Sequence, residues 1–344
     1  MKKSVKLVAI FALIVALVGV FSVCLVACDD NTANEGNSTS GDNTQTAKSV
    51  DIIYYSDGAA VQAALEAGKI DYGVVGEPAA TAGKAKGFGV VMDIQEQFNA
   101  ATDSESGFPM SSTFIKSSLA ANKTFVDAFE AMLYENLDYI AEHASEMTAL
   151  LQAAGSSSAY PAAAIPTCNV GVYMDENVKA TVADMLKTLN STESVPESVY
   201  YDEAQATEQG EGSGTLKLFV PDGAPVLAVA LLIAEAQTRT VAGYSIDVNI
   251  VPAAQIAQKM ASKEGGDIVI MPANGGANLI VKGAEYKFLC SNTQGILYMI
   301  AKGESAQIGL DDLDGKTIGC IGQGAVPQYA VEKIFTANGF TVNA

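Results

Sequence analysis

The sequence has no tryptophan, one histidine (His143) and one arginine (Arg239). A lone imidazole on a polar helical stretch excludes a multi-histidine metal centre and all but excludes histidine-based catalysis. A lone arginine at the far end of a predicted helix leaves no bidentate guanidinium clamp on a carboxylate or sulfonate in evidence. Basic residues are scarce, 20 Lys and Arg against 39 Asp and Glu. The net charge of -19 therefore argues against a nucleic-acid partner and against adhesion to anionic lipid. Beyond the amino-terminal region the cysteines are Cys168, Cys290 and Cys320, an odd number without metal-ligand spacing, so no metal site is expected. Cys290 and Cys320 lie in apolar, strand-like runs and read as buried free thiols.

What is present is ample material for one or two α/β cores: 344 residues, 49% hydrophobic and 7% aromatic. The chain opens with Met-Lys-Lys-Ser-Val-Lys and an almost unbroken apolar run over 7–27 that ends at Cys28, the pattern of an export signal. Leu25-Val-Ala-Cys28 resembles a bacterial lipobox, so 1–28 is expected to be a lipoprotein signal peptide with Cys28 as the lipidated residue. The alternative is a plain transmembrane anchor, since about 20 apolar residues span a bilayer. Both put the remainder on the extracytoplasmic face of the cell membrane. Residues 29–47, rich in Asn, Ser, Thr, Gly and Asp, read as a flexible tether.

One short unit occurs twice, over 61–78 and 255–272. Each copy is an amphipathic helix ending at Gly and Lys, then an Asp (Asp71, Asp267) opening a short apolar strand, then a polar or Pro-containing loop. Two such steps predict two similar lobes. In open α/β sheets ligands lie beyond the carboxyl ends of strands, so facing lobes would share one cleft. From 215 onward strands and helices alternate, which predicts a parallel sheet. Residues 311–316, Asp-Asp-Leu-Asp-Gly-Lys, lack the acidic spacing and terminal Glu of a calcium loop and read as a turn.

The stretches Val220-Pro-Asp-Gly-Ala-Pro225, Asp267-Ile-Val-Ile-Met-Pro-Ala-Asn274, Thr293-Gln-Gly295, Leu310-Asp-Asp-Leu-Asp-Gly-Lys-Thr-Ile-Gly319 and Gly322-Gln-Gly-Ala-Val-Pro327 resemble the first half of a type II periplasmic binding protein. The group is that of ABC-importer solute-binding proteins for nitrate, sulfonate, taurine and thiamine precursors. Ala63-Ala-Leu-Glu-Ala-Gly-Lys-Ile-Asp71 and Gly76-Glu-Pro-Ala-Ala-Thr81 resemble its second half. The halves are in reversed order, so the resemblance implies a circular permutation in which the stretch ending at Ala344 would read into Lys48. Permutation is feasible where termini are neighbours at the surface. The alternatives are a swapped dimer or two joined fragments that fold poorly. The implied organisation is lobe 2 over 48–107, lobe 1 over 108–190, an acidic linker over 191–214, lobe 1 again over 215–301 and lobe 2 again over 302–344. The implied fold is a two-lobed α/β receptor, each lobe a mostly parallel sheet flanked by helices.

Candidate ligand-binding residues follow from loops at strand ends. Asp222, Gly223 and Ala224 link a strand to a helix, although Asp222 also fits a simple cap. Asn274 and Gly275 offer an amide and exposed backbone, or an ordinary turn. Asn292, Thr293 and Gln294 lie near the expected crossing between lobes. Gln323, Gly324 and Ala325 open a helix and suit an anion held by backbone N–H groups. Ser56, Asp57 and Glu77 occupy the corresponding loops of lobe 2. Three carboxylates and no arginine lean toward a neutral or cationic nitrogen-containing ligand, whereas the resemblance alone favours an anion. The expected protein is a monomeric, lipid-anchored receptor that hands a small organic molecule to an ABC permease and its ATPase, without cofactor or catalysis. The competing readings are an enzyme of the precursor-synthesis type on the same fold and a sensor that has lost transport.

Overall fold

Short acceptor side chains ahead of apolar-periodic stretches fix where several helices begin. Asp57 accepts the Ala60 amide, Asn122 that of Phe125 and Asp175 that of Val178, and Asp93 accepts those of Gln95 and Glu96. The computed structural model describes residues 48–104, 107–262, 265–303 and 306–344. The expected signal peptide, tether and Cys28 lie outside the described residues.

In chain order the first stretch holds β1 (Ser49–Tyr55), α1 (Gly58–Glu66), β2 (Tyr72–Gly76), α2 (Ala79–Gly83), β3 (Phe88–Asp93) and α3 (Ile94–Thr102). The middle holds β4 (Pro109–Lys116), α4 (Ser117–Ala120), α5 (Lys123–Glu142), α6 (Met147–Ala153), β5 (Val170–Tyr173), α7 (Glu176–Asn190), β6 (Thr215–Pro221), α8 (Ala230–Ala234), β7 (Ser245–Val251), α9 (Ile256–Ala261), β8 (Ile268–Pro272), α10 (Ala273–Val281) and β9 (Tyr286–Gln294). The last stretch holds β10 (Leu297–Lys302), β11 (Lys316–Ile321), α11 (Val326–Ala337) and β12 (Thr341–Asn343).

These form a mixed α/β molecule with two six-stranded sheets. Lobe 1 has the order β5-β9-β4-β8-β6-β7 and lobe 2 the order β12-β1-β11-β2-β10-β3. Helices cover both faces. In lobe 1 the α5 stripe of Phe125, Phe129, Met132 and Leu133 packs on one side with Leu218, Ile268 and Ile270, while Phe114, Val269 and Phe288 pack with α7 and α10 on the other. In lobe 2 α3 and α11 cover one face and α1 the other. Each fully buried Leu, Ile or Phe stabilises by roughly 1.5–3 kcal/mol relative to exposure.

The two sheets share one plan. In lobe 1, β6 runs parallel to β7 and β8, while β4 is antiparallel to β8 and β9. In lobe 2, β11 runs parallel to β1 and β2, while β10 is antiparallel to β2 and β3. The repeated unit falls on equivalent steps, α9–β8 and α1–β2. Its Asp does the same work in both. Asp267 Oδ2 accepts the Lys217 amide at 2.9 Å and Asp71 Oδ2 accepts the Thr317 amide at 2.8 Å. In return the Asp267 and Asp71 amides donate to Lys217 O and Thr317 O, each at 2.8 Å. Asp267 thus locks the register of β8 against β6, and Asp71 that of β2 against β11.

Four local expectations shift. The chain returns from lobe 1 to lobe 2 between Gln294 and Leu297, because β10 pairs with β2 and β3, so the crossing precedes the expected boundary at 301. The 191–214 stretch is packed rather than free: Val199 and Tyr200 are buried against Phe288 and Tyr286, and Tyr200 and Thr207 form bridges to lobe 1. Where the alternation from 215 onward places its first helix, the chain forms a 3-10 turn, Ala224–Val229, followed by the short α8. Its residues 226–232 are buried on every side, so packing rather than helix propensity sets its form. Finally, β12 does not run into β1 end to end. It lies beside β1 in parallel, Thr341 facing Ser49 and Asn343 facing Asp51.

Candidate functional site

Polar contacts join the lobes where the residues after β8 meet those after β11, and where the residue after β2 meets the segment before β5. Asn274, the second residue of α10, is 2% exposed, and its Nδ2 donates to Gly324 O at 3.3 Å. Its Oδ1 is buried without a donor. Glu77, at the end of β2, is 5% exposed. Its carboxylate accepts the Thr81 amide at 3.0 Å, Thr81 Oγ1 at 2.7 Å and, from the opposite lobe, Thr167 Oγ1 at 2.9 Å. Tyr298 of β10 is hydrogen-bonded to Thr167 O at 3.5 Å. Among the described residues neither Asp57, Glu77 nor Asp222 forms an ion pair.

Other predicted residues spend their polar groups inside one lobe. Asp222 accepts from Ser156 Oγ at 2.5 Å, Ser157 N at 2.8 Å, Ser157 Oγ at 2.6 Å, Tyr160 Oη at 3.2 Å and the Gly223 amide at 2.9 Å. It therefore clamps the loop after α6 rather than capping a helix. Burial opposes its charge, but the hydrogen bonds from Ser156 and Ser157 outweigh burial and hold the carboxyl below the usual aspartate range. Gly223 has φ +114, open to glycine and strained for other residues, and Ala224 is buried. Asn292 and Thr293 are fully buried in β9, where Asn292 Oδ1 accepts from Thr113 Oγ1 at 2.7 Å and Thr293 Oγ1 shares a hydrogen bond with Ser111 Oγ at 2.8 Å. Gln294 is 6% exposed with its Oε1 lacking a donor. Gly275 and Ala325 are half-buried, while Ser56, Asp57, Gln323 and Gly324 are exposed. Asp57 caps α1, and the Ala60 amide and Ser56 hydroxyl hold its carboxyl below the usual range.

Sequence reasoning expected a crossing near Asn292, Thr293 and Gln294 but missed the part Gln95 plays there. The two crossings carry Gly107 (φ +72) and Gly295 (φ +50), and the side-chain amide of Gln95 is wedged against both. A Cβ at Gly107 would lie 1.3 Å from Gln95 Nε2, and one at Gly295 would lie 1.1 Å from Gln95 Oε1. Phe108 packs edge-on against Phe98 of α3 at 4.9 Å. Nearby, Asp184 of α7 accepts from Tyr329 Oη at 2.7 Å and pairs with Lys333 Nζ at 2.7 Å. Burial opposes the Asp184 charge, but Lys333 and Tyr329 prevail and lower its pKa. The one available signal was Gly107-Phe108-Pro109, a positive-φ residue type beside an apolar start of strand.

Cys168, Cys290 and Cys320 are free and buried. Burial pushes the Cys290 thiol up to about 12 and raises Cys168 and Cys320 as well. Arg239 pairs with Glu135 and Glu235, away from the seam between the lobes. A hollow of about 790 Å³ on lobe 1 is lined by Lys179, Tyr200, Tyr201 and Lys287. Its cations are already engaged, Lys179 with Glu176 and Glu197 and Lys287 with Ser198 O.

No protein-family model matches the chain, and no curated protein does. Solved structures do match. The oligopeptide-binding protein AppA from Bacillus subtilis, in complex with a nonapeptide, is 15% identical with a TM-score of 0.28 over 72% of this chain and 54% of that one. A substrate binding protein from Microbacterium hydrocarbonoxydans, complexed with 4-hydroxybenzoate hydrazide, is 10% identical with a TM-score of 0.30 over 72% and 53%. The ABC transporter-associated periplasmic binding protein DppA from Helicobacter pylori, in complex with a peptide, is 10% identical with a TM-score of 0.29 over 76% and 55%. The chain spans about half the length of the structures it matches.

Proposed function

We propose that the chain is an extracytoplasmic solute-binding lipoprotein, anchored through Cys28, that captures a small organic molecule between its lobes for an ABC permease and ATPase. The observation that carries this reading is the shared plan of the two sheets, whose polar loops meet at Asn274 and Gly324 and between which, among the described residues, the chain crosses at Gly107–Phe108 and between Gln294 and Leu297. Two crossings permit rigid-body closure. Capture needs no chemistry: micromolar affinity corresponds to about -8 kcal/mol, within reach of one enclosed polar site.

We further propose that the chain is a circular permutant of the type II periplasmic-binding-protein fold, of the nitrate, sulfonate, taurine and thiamine-precursor group. Supporting this, β11, β1, β2, β10 and β3 match β6, β7, β8, β4 and β9 in order and direction. The edge strands β12 and β5 have no counterpart in the other sheet, and α11 leads into β12 rather than into β1. Thr341 N donates to Lys48 O at 2.8 Å, so β12 and the residue before β1 are neighbouring backbone.

The experiment is a thermal-shift screen of the protein against pyrimidines, amines, sulfonates and nitrate. A ligand present at about 100 times its Kd adds about 2.7 kcal/mol of apparent stability, a shift of several degrees. A receptor responds to one chemical class and leaves that compound unchanged on prolonged incubation. Turnover of the bound compound, or no response to any class, would count against the proposal.

A further inference from the structure

Building on the solute-binding reading, we propose that the seam between the lobes takes a compact organic cation, with Glu77 as its counter-charge and Asn274 Oδ1 and Gln294 Oε1 as acceptors. The first ground is an uncompensated charge. Glu77 is almost fully buried, its three donors are an amide and two hydroxyls, and no Lys or Arg among the described residues pairs with it. A buried carboxylate without a cation is costly, and an added anion would raise that cost.

The second ground is independent of charge. Asn274 reaches across the seam, and its Nδ2 bond to Gly324 O fixes which end of the amide is free; the free end is an acceptor with no donor. Gln294 Oε1 is a second buried acceptor without a donor. Such groups call for N–H or O–H donors on whatever fills the site.

The three are neighbours in the fold. The Glu77 amide donates to Ile296 O at 2.9 Å, two residues beyond Gln294. Asn274 follows β8, which is separated from β9 by β4 alone, so at ~4.8 Å per strand it lies about 10 Å from Gln294. Gly324, its partner, follows β11, the strand beside β2 and Glu77. A carboxylate and two acceptors over that span suit a small nitrogenous cation and repel nitrate or a sulfonate.

The test is isothermal titration calorimetry and thermal shift on the full chain with choline, benzamidine and putrescine against taurine and nitrate. At least one cation is expected to bind and raise Tm by about 3–10 °C, with neither anion doing so. Glu77→Gln is expected to weaken that cation at least tenfold, and Asn274→Leu to weaken it severalfold; circular dichroism identifies a variant that fails to fold, and Asn274→Asp, which adds a second negative charge, is then expected to tighten the cation. Binding of taurine or nitrate in place of the cations would overturn the cation assignment and leave the receptor reading standing. Equal cation affinity in Glu77→Gln, or cation affinity unchanged in Asn274→Asp, would overturn the assignment to this seam. No binding by any of the five would overturn it too, while the wider screen of pyrimidines, amines, sulfonates and nitrate decides the receptor reading separately.

Discussion

At the residue scale Asp222 separates a structural carboxylate from a ligand-facing one. Its five donors all come from the loop after α6 and from its own turn, so its charge is spent within lobe 1. Its folded pKa is depressed, which means its stabilisation is present above the unfolded value near ~3.9 and is lost as pH falls through the folded value. Asp222→Asn is expected to lower stability by about 1–3 kcal/mol at pH 7, with the gap to wild type closing below about pH 4. Urea denaturation of both proteins across pH 3–7 measures this, and a gap that stays constant would contradict it. The sequence supports either role for Asp222, because a strand-to-helix Asp is compatible with both. The decision lies with Ser156, Ser157 and Tyr160, more than sixty residues away. Glu77 and Asn274 were legible as loop residues after strands. Their burial and the donor from Thr167 were not, because these depend on how the lobes meet.

At the element scale the repeated helix–strand unit was the most legible part of the fold. Asp71 and Asp267 recur because each accepts one amide near the start of a neighbouring strand while its own amide donates back, a local pairing that leaves the same trace in both copies. The 3-10 turn ahead of α8 left no such trace, since an apolar run buried on all sides has no period to read. The bracing of the crossings was equally opaque, because Gln95, Gly107 and Gly295 are distant in sequence and meet only in the fold. Gly295→Ala and Gly107→Ala are each expected to destabilise by more than about 2 kcal/mol, through positive φ and collision with the Gln95 amide. Gln95→Ala should recover part of that loss by removing the obstructing atoms, leaving the backbone strain. A double-mutant cycle in urea measures the coupling, and strictly additive losses would show that Gln95 does not brace the crossings.

At the scale of the whole molecule, α/β alternation and two lobes could be foreseen from periodicity and from the repeat. The matching strand order could not, because β10 is contributed to lobe 2 and β4 to lobe 1 by segments arriving from the other lobe. Under the proposed receptor reading that exchange would make closure mechanically simple: each lobe supplies the inserted antiparallel strand through one crossing, and Gln95 sits where both crossings meet. Opening would break the Asn274–Gly324 and Thr167–Glu77 contacts, while Asp184, Tyr329 and Lys333 hold the hinge side together. Among the described residues no helix is long and apolar enough to cross a membrane.

Interlobe distance is the direct observable. Spin labels at Ala59→Cys and Ala159→Cys, both exposed and on opposite lobes beside strand ends, report it by double electron–electron resonance. A hinged receptor gives a broad or two-peaked distribution without ligand that collapses to a single shorter distance when the best compound from the thermal-shift screen is added. A single narrow distance that this compound leaves unmoved would contradict the two-lobed closing mechanism.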